Sequence, residues 1–219
     1  MPADPPSGAP AGQTATAPAA AAHQPPLGPE PEPLRLLRRW LADAAAAGVP
    51  EPGAVAFVTV GADGRPSART VLLKRVEPDA LVFTSALWTR KAREIAANPN
   101  VALLFYWPAV GRQVQVAGRA VVAERALAVA LFAQRERSHQ VQALVSRQGE
   151  PIPDLAPLRA RHVHLMDAME RSPDCPEDWG AIRIAPEAFE FWSESTDRMH
   201  DRLLYTRDGN PWRVTRLAP

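Results

Sequence analysis

Three short stretches carry residue types that could do chemistry. In Asp197-Arg-Met-His-Asp-Arg-Leu-Leu-Tyr205, Arg198, His200, Asp201 and Arg202 crowd together near the C-terminal end. Two guanidinium groups beside an imidazole could be a solvated turn before a last strand, or could hold an anion and touch a substrate. In Thr89-Arg-Lys-Ala-Arg-Glu-Ile95, Thr89 has the character of a helix N-cap. Arg90 and Lys91 then fall in the first turn, where the helix dipole disfavours cations by about 0.3–1 kcal/mol each. The backbone N–H groups there point the same way, so the pair suits an anion; a solvated helix start is the plain alternative. In Ser67-Ala-Arg-Thr-Val-Leu-Leu-Lys-Arg75 the strand period puts Arg69, Val71 and Leu73 on one face and Thr70, Leu72 and Lys74 on the other. Arg69 and Lys74 therefore point apart unless the strand is bulged.

Other chemistries find no support. No Gly-rich phosphate loop occurs, since Gly61–Gly64 and Gly209–Trp212 read as turns. His162 and His164 are spaced to fall on different faces of a helix, which argues against a metal. The single cysteine, Cys175, excludes an intrachain disulfide and any multi-cysteine site. No serine has the partners of a hydrolytic nucleophile.

The elements that must position these residues follow from composition and pattern. The chain has 219 residues, 46% hydrophobic and 22% charged, as in a soluble globular protein with one good core. A net charge of +1 gives no broad electrostatic case for nucleic acid. No run approaches the roughly 18 apolar residues of a membrane span. The absence of Lys or Arg before Arg35 argues against a secretory or transit leader, so a cytoplasmic location is expected. Residues 1–34 hold ten prolines and nine alanines. Residues 1–33 are therefore expected to be a disordered tail, followed by one domain over 34–219.

A helix is predicted over 33–48, with Leu34, Leu37, Leu41 and Ala44/Ala45 at helical spacing and Gly48 as its stop. Strands are predicted over 54–60 and 67–76, joined by an Asp-Gly turn, and over 80–85. A short helix ends at Asn98-Pro99, and strands follow over 100–107 and 112–123. One helical stretch covers 124–148 and another, broken one 155–170. Four strands end the chain: 180–186, 188–192, 201–207 and 212–217, the last two joined by a turn at 208–211. Strands adjacent in sequence with short turns predict a mainly β, antiparallel barrel with flanking helices. Nothing repeats.

Taken together and in order, several motifs go further. "RTVLLK" at 69–74, "TRK" at 89–91, "RQVQV" at 112–116, "VSRQ" at 145–148, "WGAIRI" at 179–184, "EFW" at 190–192, "RMHDR" at 198–202 and the terminal "RLAP" make the chain resemble the pyridoxine/pyridoxamine 5′-phosphate oxidase family over about residues 34–219. The resemblance implies a split β-barrel, a homodimer, and FMN at the subunit interface. It implies that Arg69, Thr70, Val71, Leu72 and Leu73 line FMN, with Lys74 between FMN and substrate. Thr84, Ser85 and Gln113 would contact the flavin, and Arg90 and Lys91 its phosphate. Gln148, Trp192 and Arg202 would reach FMN from the neighbouring subunit. Arg198, Met199 and His200 would face the substrate, Arg198 and His200 as its catalytic pair. If residues 198–202 are a strand, Arg198, His200 and Arg202 share one face. The implied reaction oxidises the C4′ alcohol or amine of a phosphorylated pyridoxyl compound, with O2 reduced to H2O2.

The substrate half departs from the family pattern. Lys74 and Arg135 match the substrate-phosphate ligands, but Leu131 stands where a tyrosine is expected and His139 where a serine is. Gly149 replaces a serine after Gln148, and Thr84 replaces an aromatic residue. A lost donor to a buried phosphate costs on the order of 1–3 kcal/mol, which a protonated His139 could partly restore. The departures leave open a relative with a changed substrate, as in the phenazine-biosynthesis oxidases, or a flavin- or pyridoxal-phosphate-binding protein without turnover.

Overall fold

Alternating burial along successive strands builds the sheet. A computed structural model gives this fold and describes residues 27–28, 30–207, 209 and 211–219. In β1 (Ala54–Val60), Val55, Phe57 and Thr59 point inward. A turn at Gly61–Gly64 returns the chain into β2 (Pro66–Leu72), antiparallel to β1. Gly64 closes that turn at φ +76, a conformation that costs glycine nothing. β5 (Asn100–Trp107) and β6 (Arg112–Val122) continue the sheet with the same alternation.

The run 67–76 is not one strand. β2 stops at Leu72; the Leu73 N–H donates to the Gly53 carbonyl and the Lys74 N–H to that of Val82. Arg75–Val76 (β3) then pairs with β4 (Leu81–Ala86), at the far edge of the sheet. The chain thus crosses from one sheet edge to the other, which curls the sheet into a half-barrel.

The segments 180–186 and 188–192 also differ from expectation. They belong to one strand, β7 (Trp179–Ser193). One edge of β7 pairs with β6 throughout. Its other edge pairs first with β4, through residues 179–184, and then with β8 (Asp201–Arg207), through 188–193. The sheet forks there, and β9 (Trp212–Leu217) extends the second branch. The register with β6 shifts between Ala117 and Gly118, leaving Glu187 as an extra residue. Before it Ile182 and Ile184 are buried; after it Phe189 and Phe191 are. A Cβ on Gly118 would lie 2.3 Å from the Ala185 carbonyl oxygen, so only glycine fits beside the bulge.

Helix α1 (Pro33–Ala46) closes the barrel with Leu34, Leu36, Leu37, Trp40 and Ala44. Trp40 sits edge-on to Phe191 at 5.1 Å and to Trp107 at 6.5 Å. Gly48 ends the helix at φ +77, as predicted. Expected disorder over 1–33 falls mainly on residues 1–26 and 29, outside the described residues. Leu27 is tied to the barrel: its N–H donates to Asp201 Oδ2 at 2.6 Å and its carbonyl accepts from Arg216 at 3.0 Å. The turn expected at 208–211 is likewise only partly described.

The expected helix over 124–148 is two: α3 (Arg125–Ala133) and α4 (Arg137–Val145). The buried Gln140 amide donates to the Phe132 carbonyl at 2.9 Å, satisfying the end of α3 and fixing the break. α2 (Arg90–Ala97) follows β4, and α5 (Ala156–Ala168) is unbroken. No helix among the described residues is long and apolar enough to cross a membrane.

Candidate functional site

A cleft of about 630 Å³ runs between β2, the β4–α2 junction and α4. Arg69, Thr70, Val71, Leu72, Lys74, Thr84, Ser85, Lys91, Arg135, His139 and Gln148 all line it. The break after Leu72 brings Arg69 and Lys74 to one cleft although an unbroken strand would separate them. Leu73 instead packs on the core. Sequence reasoning missed Glu51, Trp88, Gln134, Glu136, Gln142, Ser146 and Trp179, which also line it. Leu131 does not; it is buried with Val82, Leu127, Ala128 and Ala181.

One end of the cleft is tightly wired. Glu94, on α2, accepts from Thr59 and Ser67, each at 2.5 Å, and from Arg90 Nε at 2.7 Å. Arg69 donates to the Phe57 carbonyl at 3.2 Å, Thr59 at 2.6 Å, Ser67 at 2.5 Å and Glu94 at 3.4 Å. Burial alone would push the Glu94 carboxyl up, but hydrogen bonds from Ser67, Thr59 and Arg90, with the Arg90 charge, hold it down at about 2. Burial, then the nearby Arg69 charge, pushes the Lys91 ammonium down. Among the described residues Lys91 has no hydrogen-bond acceptor, and it opens on the cleft. Arg90 does not line the cleft; its side chain is 64% exposed and paired with Glu94. Thr89 occupies the N-cap position, yet its hydroxyl donates to the Ala86 carbonyl at 2.8 Å and makes no cap bond.

The other end is unfinished. The Arg135 guanidinium lies 4.3 Å over the Trp179 ring, and burial pushes its pKa down. Arg135 Nη1, Trp88 Nε1 and Trp179 Nε1 are buried donors without an acceptor among the described residues. Such groups are costly unless a ligand or water completes them. His162, by contrast, is a structural residue whose Nε2 bonds the Ser138 carbonyl at 2.9 Å.

Gln113, Trp192, Arg198, Met199, His200 and Arg202 do not line this cleft. Gln113, Trp192 and Arg202 stand in register across β6, β7 and β8. Their sheet face is also that of Thr70, because Thr70, Ala56, Leu104, Gln115, Glu190 and Leu204 form one cross-strand row. Thr70 and Gln115 are three strand spacings apart, about 14 Å. On this face lies a second hollow of about 520 Å³, lined by Val58, Ala102, Leu104, Gln113, Gln115 and Leu204. Arg202 pairs with Glu190 at 2.7 Å.

Residues 198–200 are not a strand; β8 begins at Asp201. They form a turn in which Arg198 takes a left-handed φ of 65. The expected alternation of Arg198, His200 and Arg202 is therefore replaced by turn geometry. His200 Nδ1 accepts from the Ser195 N–H at 3.1 Å, so a neutral ring carries its hydrogen on Nε2. Its ring lies 4.8 Å from that of Trp192. Asp197 Oδ1 accepts from the Met199 N–H at 2.9 Å, which holds the turn.

Residues 41–167 match the family model described as pyridoxamine 5′-phosphate oxidase. The chain belongs to this family. Residues 179–219 match the pyridoxine 5′-phosphate oxidase C-terminal dimerisation region. The pyridoxine/pyridoxamine 5′-phosphate oxidase of Rubrobacter xylanophilus is 46% identical over 193 residues, 88% of this chain and 89% of that one. That of Burkholderia vietnamiensis is 41% identical over 192 residues, 86% and 90%. PhzG from Burkholderia lata, solved with tetrahydrophenazine-1-carboxylic acid, superposes with a TM-score of 0.84 at 35% identity over 87% of this chain and 94% of its own. An FMN-binding, pyridoxamine 5′-phosphate oxidase-related protein from Nostoc punctiforme shares the fold, with a TM-score of 0.71 at 16% identity over 84% and 96%. The fold is thus the split barrel of this family.

Proposed function

We propose that the protein is an FMN-dependent oxidase that converts pyridoxine or pyridoxamine 5′-phosphate to pyridoxal 5′-phosphate. The observation that carries this reading is the cationic cleft, with Arg69 and Lys91 at one end and Lys74, Arg135 and His139 at the other. The donor set fits a phosphate-bearing flavin, because the buried Lys91 has no acceptor of its own among the described residues. It also fits a second anion, because Arg135 Nη1 is buried and unpaired. When bound, FMN would supply the two-electron oxidation of the substrate carbon, with O2 reduced to H2O2; for the amine substrate, water enters and ammonia leaves as the aldehyde forms.

The chain's own residues bind and orient. Lys91 donates to the cofactor phosphate and Arg69 adds its charge. Thr70 and Leu72 flank the flavin ring, with Lys74 between ring and substrate. Arg135 and His139 hold the substrate anion. Gln113, Trp192 and Arg202 complete the flavin site from a second copy of the chain, together with Arg198 and His200 over the substrate. The dimerisation-region match and the separation of these residues from the cleft support a homodimer with composite sites. In such a site His200 donates through Nε2–H.

The test is an aerobic assay of FMN-loaded protein with pyridoxine or pyridoxamine 5′-phosphate, following aldehyde and peroxide together. Equal formation of both is the expected result. Bound FMN without turnover on either compound would refute this reading. A second reading, oxidation of a larger reduced aromatic acid, is favoured by the likeness to PhzG and by Leu131, which offers the substrate no hydroxyl. A reduced tricyclic carboxylic acid in the same assay separates the two.

A further inference from the structure

Glu94 does not line the cleft, yet it takes four hydrogen bonds beside it, from Thr59, Ser67, Arg69 and Arg90. Resting on the flavin-phosphate reading above, we propose that Glu94 is a positioning residue that presets the cationic end of the cleft for a phosphomonoester dianion.

The wiring is directional. Thr59 and Ser67 each accept an N–H from Arg69 and donate their own hydrogen to Glu94. Both hydroxyls are thereby fixed as relays between the cation and the carboxylate. Arg69 has five N–H groups, and four are committed, to Phe57, Thr59, Ser67 and Glu94. Its guanidinium cannot swing toward a ligand without breaking this set. Glu94 Oε1 holds Arg90 at the same time, so one carboxylate sets two arginines on two different elements.

The charges also balance. Arg69, Arg90 and Lys91 supply three positive charges and Glu94 removes one, which leaves +2. A phosphomonoester dianion carries −2. Without Glu94, Arg90 and Lys91 in the first turn of α2 and Arg69 beside them on β2 would lose this counter-charge, and the helix dipole already disfavours the two on α2. With it, the arginines are held apart and Arg69 is fixed at the cleft before any ligand arrives, so little ordering remains to oppose binding. The carboxylate itself stays behind Arg69, shielded from the incoming anion.

FMN and riboflavin differ only by the phosphate, so their affinity ratio isolates this end of the cleft. The full-length chain is titrated with each flavin by quenching of flavin fluorescence, as wild type and as Glu94→Gln. Wild type should prefer FMN, and Glu94→Gln should shrink that preference by about tenfold while changing riboflavin affinity little. If wild type binds both flavins equally, the flavin-phosphate reading itself fails. If wild type prefers FMN and Glu94→Gln keeps or increases that preference, the role of Glu94 is refuted. Should Glu94→Gln not fold, Ser67→Ala removes one relay only; a smaller loss of preference supports the proposal and an unchanged ratio overturns it.

Discussion

The two ends of the cleft solve opposite problems. At the β2–α2 end every strong donor of Arg69 but one is engaged, and Glu94 is satisfied on both oxygens. At the α4 end, Arg135, Trp88 and Trp179 each keep a buried N–H without a partner among the described residues. A satisfied network is rigid before a ligand arrives and contributes to folding. An unsatisfied one opposes folding slightly and gains most when a ligand completes it. The first end is built to hold something constant, the second to respond to what is offered.

That contrast can be broken by experiment. The largest effect should come from Arg69→Ala, which removes four hydrogen bonds at once and leaves Arg90 as the one cationic partner of the buried Glu94. Thermal or urea unfolding should show a loss of about 3–5 kcal/mol, together with loss of flavin. Next comes acid. Glu94 falls from 4.5 to about 2 on folding, so its contribution is complete above about pH 4.5 and disappears as pH drops toward 2. Between those limits wild type should lose about 3 kcal/mol that Glu94→Gln does not lose, read from urea midpoints along the pH series. Arg135→Leu should behave in the opposite way. Stability should stay within about 1 kcal/mol, because an unpaired buried donor is removed, while KM for an anionic substrate rises about tenfold with flavin retained. Arg198→Ala should also weaken substrate use about tenfold with FMN still bound, seen as a KM change against an unchanged flavin absorbance. If it strips the flavin at unchanged stability, the roles assigned along residues 198–202 are wrong. Smallest is Arg90→Ala. Its exposure and its pairing with Glu94 limit the loss of FMN affinity to about threefold in the same titration.

Strand alternation and helix spacing made β1, β5, β6, β8 and α1 legible, because each obeys one period from end to end. Two cations in the first turn of α2 stood out because they oppose the dipole. What escaped the sequence was decided by partners far along the chain. The break after Leu72 depends on Gly53 and Val82, and it alone brings Lys74 beside Arg69. The split between α3 and α4 depends on the Gln140 side chain. Trp88 carried no local signal, since its role comes from packing with Trp179. Residues 198–200 left two readings open, a turn before the strand at 201–207 or a strand face shared by Arg198, His200 and Arg202; the left-handed Arg198 decides for the first. Glu94 could have been found four residues after Arg90 as a helical ion pair; its bonds to Thr59 and Ser67 could not.

The extra residue at Glu187 divides β7 into two phases, even-numbered residues inward before it and odd-numbered after it. The strand therefore has something like a reading frame. Substitution at Glu187 alters one exposed side chain. Deletion would remove one of two consecutive outward residues, so the alternation becomes regular, Phe189 and Phe191 stay inward, and only the local bend of the bulge is lost. The extra residue thus bends β7 where its other edge passes from β4 to β8, without changing which side chains fill the core.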